Sequence, residues 1–196
     1  MKLLLTILSI TILTITAKAQ LDKKNWLLGG SGSFYSYDEN YNSQQTNLTG
    51  KYTNIDISAS IGYFIDNKFV GGLRPFFTSE KGSSSGGGSA NSYKIGIGPF
   101  VRYYFLKSDK QFNLLTDVCY QFGINKFTGT LKEKGKYNTL SIQGGTEIFF
   151  NSSVGLEFLV GYKFQSASIE NSPSSYTNNK KGFQTSIGFQ FHLQKK

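Results

Sequence analysis

Few side chains in this sequence are of the kind that carries covalent chemistry. There is one histidine, His192, and one cysteine, Cys119. Nucleophilic catalysis needs a Ser or Cys, an imidazole base and a carboxylate to orient it. His192 is the only imidazole, and it falls at the end of its strand away from the long loops. A plug or network role suits it better. Cys119 has no second thiol, which excludes an internal disulfide framework and a multi-cysteine zinc site. It reads as a packing residue. Glu147 and Glu157 could neighbour each other across two strands and do general acid–base work. An interior ion-pair network is the simpler expectation for them. Gly96-x-Gly98 is not followed by a helical pattern, so no phosphate-cradling loop is expected. The sequence therefore predicts no catalytic, cofactor or metal site.

The elements that carry these residues are strands. The chain has 196 residues, with 21 Lys plus Arg against 12 Asp plus Glu and a formal charge of +9. Charged residues are only 17%, against about 25% in a typical soluble domain. Aromatics reach 15%, with 22 Gly and 3 Pro, a mix that disfavours disorder and favours strands. Period-two alternation runs through eight segments: 25–37, 51–65, 69–79, 92–106, 111–125, 137–150, 154–168 and 182–193. In the last, Phe183, Thr185, Ile187, Phe189, Phe191 and Leu193 share one face. None has a sustained helical period.

Connections alternate as well. Three are short and rich in turn residues: 66–68, 107–110 and 151–153. Four are longer and polar: 38–50, 80–91, 126–136 and 169–181. An even strand number with tight turns at one end and loops at the other is the arrangement of an outer-membrane barrel. The expected fold is an all-β, eight-stranded antiparallel up-and-down barrel in one domain, residues 20–196.

Two architectures share this alternation, a soluble ligand-binding barrel and a membrane barrel. The faces separate them. The apolar face carries no charged residue in any segment and is crowded with Phe, Tyr, Ile and Leu. The opposite face is rich in Gly and Ser, which suits the tight interior of an eight-stranded barrel. Its charges balance, with Asp56, Asp117, Glu147 and Glu157 against Arg74, Lys94, Arg102 and Lys163. Buried charges must be paired and hydrogen-bonded, whereas surface charges need not be. The apolar face is therefore expected to meet lipid. Trp26, Tyr63, Phe69, Tyr103, Phe112 and Phe191 would form a belt at the turn end. Phe34, Phe77, Tyr93, Phe122, Phe164 and Phe183 would form one at the loop end. Pro99 lacks an amide and predicts a bulge or local gap in its ladder.

Residues 1–19 read as a cleaved signal peptide: Met1-Lys2, an apolar run from Leu3 to Ile15, and Ala17-Lys18-Ala19 before the cleavage point. The chain is therefore expected to be exported to the bacterial outer membrane. The mature chain, over roughly 25–193, resembles the small eight-stranded outer-membrane β-barrels of the OmpX, OmpA-barrel and OmpW type. The likeness lies in architecture and in one local pattern. Ser186-x-Gly188-x-x-Phe191-x-Leu193 is similar to the C-terminal signal read by the outer-membrane insertion machinery. It departs in ending on Leu rather than an aromatic, with Gln194-Lys195-Lys196 beyond.

Lys126, Lys132, Lys134, Lys136, Lys180 and Lys181 gather the basic excess at the outer rim, where anionic lipid head groups are the natural partners. Nucleic acid is not an expected partner, because these lysines are not interleaved with exposed aromatics. The expected function is non-enzymatic, in envelope integrity or surface interaction through the loops. The alternatives are a small passive channel of the OmpW type, an outer-membrane lipid hydrolase and a soluble ligand-binding barrel.

Overall fold

A strand with one apolar face must bury or solvate that face in lipid, and closing the sheet removes its edges. A computed structural model, which describes residues 21–42, 47–84, 89–108, 110–128, 133–169 and 177–194, shows the closed solution. The strands are β1 (Trp26–Asn42), β2 (Asn47–Asp66), β3 (Phe69–Ser84) and β4 (Ser89–Tyr104). They continue as β5 (Phe112–Thr128), β6 (Glu133–Phe149), β7 (Val154–Ile169) and β8 (Thr177–Leu193). Each pairs antiparallel with its sequence neighbours, and β1 pairs with β8. Residues 1–19, read above as a signal peptide, lie outside the described residues.

The alternation assigned the faces correctly. Ile57 and Val160 stand 57% and 62% exposed on the outer wall, while Arg102 and Asp117 point inward and are buried. The apolar wall faces outward, which overturns the soluble ligand-binding alternative. Strands of 16 to 20 residues exceed the ~9–11 that a tilted strand needs to cross a bilayer. The extra length comes from segments expected to be loops. Those at 38–50, 80–91, 126–136 and 169–181 run on as paired strand at both ends. Backbone pairing does not depend on apolar side chains, so polar sequence continues the ladder beyond the apolar band.

The turns follow local chemistry. At 66–68, the Asp66 carboxylate accepts from the Asn67 amide at 2.9 Å and Lys68 takes φ 68°. At 151–153, Asn151 Oδ1 accepts from the amides of Ser153 and Val154 at 2.8 and 2.9 Å. Pro99 produces a gap without a bulge. The β4–β5 ladder skips Gly98 and Pro99 and resumes in the same register, with Ile97 opposite Phe122 and Phe100 opposite Cys119. Pro75 does the same to the β2–β3 ladder. The β1–β8 seam differs from every other. It holds seven pairs, from Trp26 opposite Leu193 to Gly32 opposite Ile187, and stops there.

Candidate functional site in the barrel interior

The interior is layered. The lowest layer, at the turn end, is apolar and was not anticipated by the alternation. Leu21, Leu27, Phe64, Val70, Phe100, Tyr104, Leu115, Phe149 and Leu159 form one buried cluster with Cys119. The chain ahead of β1 folds across this end of the barrel. The Lys68 amide donates to the Leu21 carbonyl at 3.0 Å, and the Phe64 amide donates to that of Asn25 at 2.9 Å. Leu21 is thereby buried beneath the strands. The sequence does carry a signal for this layer. Near the turn end the alternation breaks into apolar doublets: Leu27-Leu28, Phe64-Ile65, Phe69-Val70, Tyr103-Tyr104, Leu114-Leu115 and Phe149-Phe150. In each doublet one member faces lipid and the other faces the floor.

Above and within the floor runs a charged network. Asp117 accepts two hydrogen bonds from Arg74, from Nη1 at 2.7 Å and Nη2 at 2.8 Å. It accepts a third from Arg102 Nε at 3.0 Å. Arg102 Nη1 also stands 2.8 Å from Glu157 Oε2. Arg74 donates to Ser60 Oγ at 2.9 Å and lies 4.4 Å over the Phe100 ring. The Tyr104 hydroxyl donates to Glu147 at 2.7 Å, and His192 Nε2 sits 2.7 Å from the other oxygen of that carboxylate. Arg102 joins the two halves through Tyr104 Oη at 3.3 Å. Ser60, Arg74, Arg102, Asp117, Glu147, Glu157 and His192 come from β2, β3, β4, β5, β6, β7 and β8, so seven of the eight strands are tied by one network.

These contacts decide the chemistry open to the titratable groups. Glu147 and Glu157 are opposite each other in the β6–β7 ladder. Each carboxylate meets a different basic partner, His192 for the first and Arg102 for the second. His192 is fully buried among the rings of Phe149, Phe64 and Tyr104, with centroids 5.3, 5.9 and 6.0 Å away. No substrate can approach it without dismantling the floor. Cys119 is also buried, beside the Arg74–Asp117 pair.

The third layer is a polar vestibule toward the loop end. Its cavity is about 80 Å³, room for several waters, lined mostly by Ser, Thr and Gln with Asp56, Lys163, Phe76 and Tyr137, and bordered by Arg74 of the lower network. Asp56 accepts from Thr78 Oγ1 at 2.6 Å and Ser33 Oγ at 3.1 Å. Lys94 is buried higher up, with Nζ 5.2 Å from the centroid of Tyr137. The interior positions named from sequence thus separate. Arg74, Arg102, Asp117, Glu147 and Glu157 share the lower network, Asp56 and Lys163 line the vestibule, which Arg74 also borders, and Lys94 lies beside Tyr137 at its wall.

The outer wall sorts the remaining positions. Trp26 packs edge-on against Tyr63 at 5.2 Å near the turn end, and Phe77 stacks with Tyr93 at 6.3 Å near the loop end. The Phe34 side chain lies outside the described set. Within the C-terminal pattern, Ser186 and Gly188 face inward while Phe191 and Leu193 face outward, both exposed. Lys126, Lys134, Lys136 and Lys181 are exposed on the outward face of β5, β6 and β8, on strands rather than on loops. Lys132 lies outside the described residues. Lys180 is in β8, but its side chain is not described.

No family model and no curated protein matches the chain. Solved structures do. The outer membrane protein OprG from Pseudomonas aeruginosa superposes with a TM-score of 0.57 at 15% identity, covering 90% of this chain and 100% of that one. Neisserial surface protein A gives a TM-score of 0.46 at 16% identity, over 85% and 96% of the two chains. At the identity of the first, the likeness is one of fold. The chain has the fold of the small outer-membrane β-barrels.

Proposed function

We propose that this chain is an integral outer-membrane barrel that neither catalyses nor conducts, and that acts through its loop-end surface. The observation that carries this reading is the closed interior. A fully buried floor and a network tied to seven strands stand beneath the vestibule, and an ion would have to displace both. In planar lipid bilayers the purified protein should therefore give no steady unitary current. Reproducible single-channel steps would sink this reading and favour the passive-channel alternative.

The surface part of the reading rests on Lys126, Lys134, Lys136 and Lys181. In the β5–β6 ladder Lys126 is opposite Lys134, and in the β7–β8 ladder Lys181 is opposite the lipid-facing Phe164. Amines just beyond an apolar band lie at head-group depth, where each is worth roughly 1 kcal/mol toward an anionic surface. Replacing all four by Ala should lower co-purification of anionic outer-leaflet lipid several-fold without changing the folded gel mobility. Unchanged lipid content would make these lysines solubilising only. Removal of residues 1–19 and capture of the Ser186–Leu193 pattern by the insertion machinery complete the reading. N-terminal sequencing of the membrane form, expected to begin at Gln20, tests the first.

A further inference from the structure

The vestibule wall carries an inference separate from the lysines of the outer rim. On the inner face of the β7–β8 ladder, Lys163 is opposite Gly182 and Gly161 is opposite Gln184. Two long side chains and two glycines thus share one patch, and both Lys163 and Gln184 line the cavity. The two glycines differ. A Cβ on Gly161 would run into the backbone of β6 at Ile142 and Gln143, so that glycine serves the close approach of two strands. A Cβ on Gly182 would meet nothing within 4 Å. Open space therefore lies beside Lys163 on the β8 side. On the β6 side Ser141 stands opposite Lys163 and also lines the cavity.

The hydrogen-bond capacity of this patch is unspent. Neither Lys163 nor Gln184 makes a side-chain hydrogen bond or an ion pair with any described residue. An ammonium brings three N–H donors and no acceptor, and a carboxamide adds two donors and one oxygen. A wall so rich in donors suits a ligand that brings acceptors and negative charge. The other charged groups at the cavity are already committed. Arg74 gives both Nη groups to Asp117 and its Nε to Ser60. Asp56 accepts from Thr78 at one oxygen and from Ser33 at the other. It stands on β2, separated from β7 by β8 and β1, and forms no ion pair with Lys163. Its charge opposes an anion from across the cavity, which keeps the affinity modest and gives the test its sign. The cavity holds several waters, and a small oxyanion needs no more room.

We propose that the β7–β8 wall of the vestibule binds one small inorganic oxyanion, held by Lys163 Nζ and the Gln184 amide over the open space at Gly182. The site lies on the loop side of the floor and leaves the lower network as it stands. It adds a ligand to the barrel without opening it.

The test uses the full-length protein in phosphatidylcholine nanodiscs, with inorganic phosphate as the probe and equilibrium dialysis as the readout. Wild type should bind phosphate saturably, one per chain. Lys163→Met should weaken binding roughly tenfold, the loss of one charge-assisted partner, while Lys163→Arg should retain it. Gly182→Val fills the open space, keeps both donor groups and should weaken binding as well. Gln184→Leu removes the second donor group without adding bulk and should weaken it several-fold. Asp56→Asn should tighten binding several-fold, because the facing charge is gone. Replacing the rim residues Lys126, Lys134, Lys136 and Lys181 together by Met should leave binding unchanged. Folding of each variant is checked by its unboiled gel mobility. No saturable binding by wild type, full binding by the folded Lys163→Met, Gly182→Val or Gln184→Leu protein, or loss of binding in the rim variant would each overturn the proposal. Weaker binding in Asp56→Asn would overturn it too, since the ligand would then need the carboxylate.

Discussion

Replacing Asp117 by Asn should destabilise the folded barrel by about 3–5 kcal/mol, the usual cost of removing one partner from a buried ion pair. The carboxylate is the sole acceptor of both Arg74 Nη hydrogen bonds and of the Arg102 Nε hydrogen bond. Without it two guanidinium groups stay buried, and Arg102 keeps Glu157 alone as a charged partner in contact. Urea unfolding in lipid vesicles, followed by the fraction of fast-migrating unboiled protein, measures the loss. Asp56→Asn is the matched control. Its carboxylate accepts from hydroxyls beside a wet cavity, so the cost should be nearer 1 kcal/mol. Equal losses at the two positions would show that the lower network does not hold the barrel together.

Val160→Arg should cost about 2–4 kcal/mol, the penalty for a cation on the lipid face near mid-membrane. Val160 is 62% exposed and lies six residues above Val154, where β7 starts at the turn end. At ~3.3 Å per residue on a tilted strand, that is close to the middle of an apolar band ~25 Å tall. Gln121→Arg is the internal comparison, since Gln121 lines the vestibule. There the new cation can be hydrated and lies in a cavity that also holds Asp56, so the change should cost clearly less than Val160→Arg. The same unfolding assay reads both. Arg tolerated equally on the two sides of the wall would mean that the outward face does not meet lipid.

The faces were legible because a strand has a strict period of two. Val154, Leu156, Phe158 and Val160 could only lie together, opposite Glu157 and Gly161. The two tiers of interior charge were not legible. Asp56 and Asp117 look alike in sequence, yet one meets hydroxyls and the other two guanidinium groups, and that choice depends on register around the whole barrel. Tyr104 illustrates the same limit. It belongs to an apolar doublet and also donates the hydrogen bond that links Glu147 to the rest. The floor itself had a local signature, because a residue such as Leu159 between Phe158 and Val160 leaves no polar side to its stretch of strand. Loop lengths were misjudged for a different reason. Polar composition reports where the membrane stops, and strand pairing does not stop with it.

The floor has one more consequence. With the turn end sealed by Leu21 and the rings around His192, the molecule is a cup rather than a tube. The vestibule lies on the loop side of that seal. Water and small solutes in it would meet a wall of packed rings before they reached the turn end.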